Sequence, residues 1–331
     1  MEISIIIPVY NVENYVLRCL WSVVKQRCSR LQVIIIDDCG NDDSMMIVED
    51  FIRSNAHITW KLVRHSRNKG LSAARNTGLN HARGDYIYFL DSDDELPENC
   101  IENFASEAIK RSNVEVLIGS VQAIGFGKKK KALEGRKTKT NLLIKDGEVL
   151  KAYNDGRISA TAWNKFIKRS VIVEYKLYFK EGILHEDILW SFYLFTKCRS
   201  VFICNHDAYI YHANKVSITS TMGYKNFDSY LYILSVLKEE VLMNKIPLRE
   251  FYENGRFYIL VSLVKSNVDF FQKQFFFDSY RKLSFFSRSY EVLFSDTTIK
   301  IKIRTLISFL PYQVFRKVLL GFANIKLHLL L

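Results

Sequence analysis

Residues 86–95 read YIYFLDSDDE. Tyr86, Ile87, Tyr88, Phe89 and Leu90 are all aromatic or apolar, as a strand buried on both faces requires. Asp91, Ser92, Asp93 and Asp94 follow at once, so the strand ends in an acidic cluster. Like carboxylates at this spacing raise one another's pKa unless a positive charge sits among them. A divalent cation answers that need, because hard cations take carboxylate oxygens. A polar turn also looks like this, so the reading depends on what flanks the motif.

Upstream, the pattern of strand and polar loop recurs. Residues 3–7 form a continuous apolar run, expected as a buried strand that Pro8 ends. Residues 33–36 repeat it and end in Asp37 and Asp38, and 58–63 are a third strand candidate. Val12, Val16, Leu20, Val23 and Val24 recur at helical spacing and predict a helix over 13–26. A second helix is expected over 44–53. A third, over 71–82, is rich in small residues (Ala73, Ala74, Ala82), with Gly84 as its cap. Downstream, Pro97 opens a helix and 114–118 are a further strand. Strands alternating with helices imply right-handed crossovers and a mostly parallel sheet. Ligands of such sheets sit outside the carboxyl ends of the strands. Residues 8–11, 37–38 and 91–93 therefore belong on one rim. There is no G-x-G-x-x-G after the first strand and no Walker lysine loop, so two common nucleotide sites lack their fingerprint.

The second half is less regular. Residues 125–139 carry Lys128 to Lys131, Arg136, Lys137 and Lys139, either a solvated loop or an arm over a phosphorylated ligand. Trp163-Asn164-Lys165 precedes an apolar stretch. His185-Glu186-Asp187 precedes a helix over 188–197, and 201–204 and 209–211 are expected as two short strands. Beyond residue 220, helices rich in Phe, Tyr and Leu are expected at 230–242, 250–265 and 270–283. The tail from 297 to 331 holds Lys300, Lys302, Arg304, Arg316, Lys317 and Lys326 with no acid. Broken by Pro311, it suits an anionic bilayer surface, or it packs as core of its own domain.

Across 331 residues the formal charge is +12. That points to a polyanion, an anionic membrane surface or a phosphorylated substrate. The basic residues form no nucleic-acid-binding motif, so nucleic acid is not expected as a partner. Six scattered cysteines without metal spacing are expected as free thiols in a reducing compartment. Glu2 and Pro8 do not fit a signal peptide, and no apolar run reaches the ~18 residues that a transmembrane helix needs. The expected location is cytoplasmic, peripheral on the inner face of the plasma membrane.

Four blocks, in order and spacing, resemble the family 2 glycosyltransferases with a GT-A fold. They are Ile5-Ile6-Ile7-Pro8-Val9-Tyr10-Asn11, Ile34-Ile35-Ile36-Asp37-Asp38, residues 68–76 (NKGLSAARN) and Phe89-Leu90-Asp91-Ser92-Asp93-Asp94. His185-Glu186-Asp187 is similar to the family's later E-D motif. Residues 38–42, DCGND, depart from its usual D-G-S-x-D. The resemblance implies an α/β GT-A domain, Rossmann-like, over residues 1–220. Its nucleotide half is expected at about 1–120 and its acceptor half at about 121–220, with a mostly helical extension from 221 to 331.

The resemblance also implies a chemistry. An inverting enzyme of this kind moves a sugar from a nucleotide diphosphate, UDP above all, to a hydroxyl of a lipid-linked or glycan acceptor. Asp93, with Asp91, is implied as ligand of Mn²⁺ or Mg²⁺. Asp91 and Ser92 also border the donor. Asp38 is implied to hydrogen-bond the base, with Pro8, Tyr10 and Glu13 lining its pocket. Arg75 would give a fork of donors to the donor sugar nucleotide or to the neighbouring carboxylates. Asp187 matches the general base, with Glu186 as the fallback. His185 could reach metal or diphosphate, Trp163 could stack on a sugar and Lys165 could contact phosphate. A processive synthase is not expected, for want of membrane helices. The alternative is a silent member that binds a nucleotide sugar or organises an assembly complex.

Overall fold

The structure, a computed structural model, describes residues 1–111, 114–127, 141–154, 156–214, 223–243, 259, 261, 273, 275–277, 299–308 and 310–323. The apolar runs become the middle of a sheet. Ile3–Val9 forms β1, buried throughout. Leu31–Asp37 (β2) lies parallel to it along its whole length, and Thr59–Arg64 (β3) pairs parallel beyond β2. Tyr86–Phe89 (β4) flanks β1 on its other side, also parallel. Val16–Val24 (α1), Ser44–Ser54 (α2) and Leu71–His81 (α3) make the crossovers.

Two details of this half correct the expectations. Pro8 lies within β1 and does not end it. The Ile6 carbonyl accepts the Leu90 amide at 3.0 Å. Pro8, two residues on, turns its nitrogen the same way, past the end of β4, so no ladder bond is lost. Nor does Gly84 cap α3, which ends at an extended Ala82. A Cβ on Gly84 would stand 2.6 Å from the Ser4 amide nitrogen, so this glycine serves close packing on β1. Gly78 explains the small-residue helix in the same way, since a Cβ there would meet the Ile6 side chain at 2.3 Å.

The second half is mixed, where a mostly parallel sheet was expected. Cys100–Lys110 (α4), Val116–Ile124 (β5), Leu142–Lys145 (β6), Gly147–Asn154 (α5), Lys165–Lys168 (β7), Arg169–Glu174 (α6), Glu186–Lys197 (α7) and Ser200–His212 (β8) follow in order. The sheet runs β3-β2-β1-β4-β7-β5-β8-β6. Strand β7 inserts antiparallel between β4 and β5, β8 lies parallel to β5, and β6 is antiparallel to β8. The two short strands expected at 201–204 and 209–211 are one strand, β8. Its register against β5 shifts near Ser120, a bulge that carries the polar Asn205 and Asp207 across the apolar pattern.

The chain separates into two units, residues 1–182 with 186–215, and residues 183–185 with 216–331. The second contains Tyr224–Met243 (α8), Ile299–Ser308 (α9) and Tyr312–Ala323 (α10). Along α9 and α10, Thr305, Tyr312 and Phe315 are buried, whereas Leu306, Val314, Arg316 and Lys317 are exposed. The described part of the tail therefore has both buried and exposed side chains. No helix among the described residues is long and apolar enough to cross a membrane. The basic stretch 128–139 and most of the helices expected at 250–265 and 270–283 lie outside the described residues.

Candidate active site

The rim loops of the parallel half are stitched to one another in sequence order. After β1, the Asn11 Oδ1 atom accepts the Asn41 amide (2.9 Å) and the Val12 amide donates to Ser44 Oγ (2.8 Å). The Glu13 amide donates to Asp42 Oδ2 (2.9 Å), and the Glu13 carboxylate accepts the Asp43 amide (3.0 Å). Glu13 thus holds the second loop against the first. Asn11 and Cys39 adopt the left-handed backbone region at φ +52° and +59°. The DCGND departure therefore still turns. Tyr10, half exposed at the end of β1, and buried Pro8 stand beside these loops.

Asp38 ties the second loop to the third. It is buried, and its Oδ1 receives the Lys69 amide (2.9 Å) and meets His65 Nδ1 (2.6 Å), while its Oδ2 receives the Gly70 amide (2.8 Å). His65 Nε2 continues to Thr77 Oγ1 of α3 at 2.9 Å. A carboxylate has about four acceptor sites. Three are filled by the protein, so shaping the 65–70 loop is a task of Asp38 that the sequence reading missed.

Arg75, on α3, joins this loop to both ends of the chemistry. One guanidinium nitrogen donates to Asp91 Oδ1 (2.8 Å) and another to Glu186 Oε1 (2.7 Å), over the Phe179 ring at 5.3 Å. Burial works against the charge of Arg75, but Asp91 and Glu186 outweigh it and raise its pKa. Of the roles expected for Arg75, the structure places it on the neighbouring carboxylates. Glu186, expected as the fallback base, is this ion-pair partner.

Within the acidic cluster Asp91 is paired with Arg75, whereas the Asp93 and Asp94 carboxylates are held by neutral donors. The Asn214 amide donates to Asp93 Oδ2 (3.0 Å), and Arg18 reaches the Asp93 carbonyl (2.7 Å). Asp94 is buried, accepting the Tyr209 hydroxyl (2.7 Å) and the His212 amide (2.8 Å). Burial, then the charges of Asp93 and Asp91, push Asp94 up to about 8. Burial and Asp91 likewise raise Asp93. Buried Ser92 sits between them. No cluster of three or more metal-ligating side chains is preformed among the described residues. The donor chemistry still fits a hard divalent cation. Asp93 and the second oxygen of Asp91 are carboxylate oxygens in a charge-deficient site, and Mg²⁺ is commonly held by one or two carboxylates plus substrate phosphates.

Asp187 lies in the first turn of α7. Burial, then Glu186, raise its pKa, Arg75 and Lys165 pull it back, and the outcome is about 7. Lys165 is fully buried. Its ammonium bonds the Thr161 carbonyl and faces the Thr161 and Ser159 hydroxyls at 3.3 and 3.4 Å. Lys165, expected to contact phosphate, thus has no solvent-exposed surface. Trp163 stacks on Tyr209 at 4.3 Å and on Tyr211 at 5.4 Å, so part of its ring surface is covered by the protein. His185 belongs to the second unit. There it stacks on Tyr230 (4.2 Å), its Nε2 meets the Asn226 amide (3.0 Å), and burial lowers its pKa to about 4. Those partners lie within the second unit. Arg18, Tyr209, His212 and Asn214 were missed. Their partners are up to 121 residues away in sequence, so no local signal marks them.

Comparison with known proteins extends this picture. The model of the family described as "Glycosyl transferase family 2" matches residues 4–175. The uncharacterized glycosyltransferase EpsJ of Bacillus subtilis is 29% identical over 238 residues, 69% of this chain. EpsH of the same organism is 30% identical over 232 residues, again 69% of this chain. In each case the match spans 66% of the relative's own length. Among solved structures, residues 1–349 of Staphylococcus aureus TarS in complex with UDP-GlcNAc superpose with a TM-score of 0.75 at 18% identity, covering 98% of this chain and 92% of that one. That likeness establishes a shared GT-A-type fold, with the sheet described above at its centre. The family model covers just over half of the residues, including every rim loop of the parallel half, and the chain belongs to glycosyl transferase family 2.

Proposed function

We propose that the chain transfers a sugar from a nucleotide-diphosphate sugar to an acceptor hydroxyl, with inversion at the anomeric carbon. The observation that carries this reading is the line Asp91–Arg75–Glu186–Asp187, buried at Arg75 and Glu186, which connects the acidic strand end to a carboxylate whose pKa is raised to about 7. A general base works best with a pKa close to the operating pH. Asp187 takes the proton of the acceptor hydroxyl. The acceptor oxygen then bonds to the anomeric carbon from the face opposite the diphosphate. The bond to the diphosphate breaks, and the diphosphate leaves with the electron pair. Arg75 and Glu186 keep the two carboxylates in fixed relation during this step. Pro8, Tyr10 and Asp38 border the base of the donor, and Asp91 and Ser92 border its ribose and diphosphate. Asp93 and Asp91 would hold a divalent cation, Mn²⁺ or Mg²⁺, which when bound would supply Lewis-acid neutralisation of negative charge on the diphosphate.

TarS, whose complex contains UDP-GlcNAc and whose name gives poly(ribitol-phosphate) as its acceptor, supports a UDP-sugar as donor. The acceptor on this reading is a glycan or a lipid-linked glycan of a surface polysaccharide. The enzyme works in the cytoplasm, peripheral to the inner face of the membrane, and the basic tail supports that location. A silent nucleotide-sugar binder would have no use for a carboxylate with a raised pKa at the start of α7. The test is release of nucleotide diphosphate from a panel of UDP-, GDP- and dTDP-sugars, with Mn²⁺, with Mg²⁺ and in excess chelator. The reading expects metal-dependent turnover of a UDP-sugar and a product of inverted configuration. Binding without turnover, or turnover that is undiminished in chelator, overturns it.

A further inference from the structure

Lys165 opens β7 and is 0% exposed, a state that lysine almost never adopts unless its charge is paired. Its hydrogen-bond partners are the Thr161 carbonyl and the hydroxyls of Thr161 and Ser159. All are neutral, so they satisfy the N–H groups and leave the charge unmatched. The loop that carries them is packed on α7. Ser191 Oγ donates to the Ala160 carbonyl at 2.7 Å, and the Phe195 ring lies 5.9 Å from Lys165 Nζ. The first turn of that same helix carries Asp187, the carboxylate that acts on Lys165. A buried charge is costly unless an opposite charge compensates it or the group gives up its charge.

We propose that Lys165 is a positioning residue for the base: its sequestered ammonium keeps Asp187 anionic and able to accept a proton, without touching donor or acceptor. This inference rests on the reading of Asp187 as the base. Asp187 faces Glu186 on its own helix, Arg75 from α3, Asp91 from the end of β4, Lys165 from β7 and the Tyr153 phenol from α5. Two of these are anions that oppose its ionisation. Arg75 is already divided between them, through its bonds to Asp91 and Glu186. Lys165 is the cation not so divided. Burial lowers the pKa of Lys165 and Asp187 raises it, while burial and Glu186 raise the pKa of Asp187 and Lys165 lowers it, so each favours the charged form of the other.

The experiment is the pH profile of kcat/KM for release of UDP from UDP-GlcNAc, for the wild type, Lys165→Gln, Lys165→Met and Asp187→Asn, with UDP affinity measured beside it. Gln keeps a donor for Thr161 and loses the charge. Without that charge the pKa of Asp187 rises. The acidic limb should then move up by on the order of one pH unit, with activity regained above pH 9 and UDP affinity unchanged. A folded Lys165→Gln protein whose acidic limb stays in place, beside an inactive Asp187→Asn, overturns the role of Lys165 alone. An active Asp187→Asn with the wild-type profile overturns the base assignment instead. If neither Lys165 variant folds, ¹⁵N-lysine spectra of the wild type and Asp187→Asn decide. One lysine should titrate near 7, and its midpoint should fall when Asp187 loses its charge. An identical midpoint in both proteins overturns the proposal.

Discussion

The acidic cluster at the end of β4 and the carboxylate at the start of α7 solve the same problem in opposite ways. Both bury carboxylates, and both raise their pKa. Asp94 reaches about 8 with burial and two like-charged neighbours acting on it, and it is held by a phenol and a backbone amide. Asp187 stays at about 7 because Arg75 and Lys165 stand against its burial and the charge of Glu186. At the first site Arg75 pairs with Asp91 alone, and the Asp93 and Asp94 carboxylates are left to neutral donors. At the second, Arg75 and Lys165 both act on Asp187. On the proposed reading, the difference separates the part of the site that binds from the part that moves a proton.

The largest effect is expected where the divalent cation is lost. Asp93→Ala should abolish transfer and leave the melting temperature nearly unchanged, because the residue lies on a loop beyond the sheet. Excess chelator should do the same to the wild type, and Mn²⁺ or Mg²⁺ should restore it. Full activity of Asp93→Ala would remove the cation from the account of the acidic cluster.

Next comes the base. Asp187→Asn keeps the shape and removes the proton acceptor, so turnover should fall by on the order of 10²–10⁴ while donor binding survives. In the wild type, Asp187 is protonated below about 7. Activity should therefore fall about tenfold per pH unit as pH drops through and below that value, and level off above it. Loss of donor affinity with unchanged turnover of the bound complex would make Asp187 a binding residue.

A smaller and opposite shift is expected at Glu186. Its charge raises the pKa of Asp187, so Glu186→Gln should move the acidic limb of the kcat/KM profile to lower pH, on the order of one unit. An upward shift would show that loosening Arg75 matters more than removing the repulsion.

The smallest effect on catalysis is expected from the tail. Removing residues 297–331 should weaken binding to anionic vesicles and spare turnover of a soluble donor. Each basic residue near such a surface contributes roughly 1 kcal/mol, and added salt should weaken the attraction. Because Thr305, Tyr312 and Phe315 are buried, a large fall in the melting temperature together with weak, lipid-indifferent binding by the full chain would assign the tail to the core.

The same contrast governs what could be read from residues alone. The Ile5-Ile6-Ile7 and Val33–Ile36 runs announce central parallel strands because burial on both faces demands unbroken apolar sequence. The loops that follow them fall on one rim by topology, so Asp38, Asp91 and Asp93 were found together. The second half hides its plan. The polar Asn205 and Asp207 split β8 in two on paper, because a bulge has no signature in alternation. Strand β7 is short, and nothing in its sequence says that it enters antiparallel between β4 and β5. Lys165 looks like any surface lysine until burial shows otherwise. Tyr209, His212 and Asn214 meet the acidic cluster only through the sheet, across more than a hundred residues. His185 is next to Glu186 in sequence and yet belongs to the other unit.

The contrast itself can be measured by following aspartate side-chain carbons through a pH titration, by NMR of selectively ¹³C-labelled protein. Asp94→Asn and Asp187→Asn assign the two signals, and the titration is run with and without Mg²⁺ and UDP. The account predicts that Asp94, near 8 in the free protein, drops by more than one pH unit when Mg²⁺ and UDP are added. Asp187, on which Asp91 acts least of the groups around it, should fall by clearly less. An Asp94 midpoint indifferent to the cation, or an Asp187 midpoint that falls as far as that of Asp94, would contradict the division between carboxylates held by neutral donors and one held by Arg75 and Lys165.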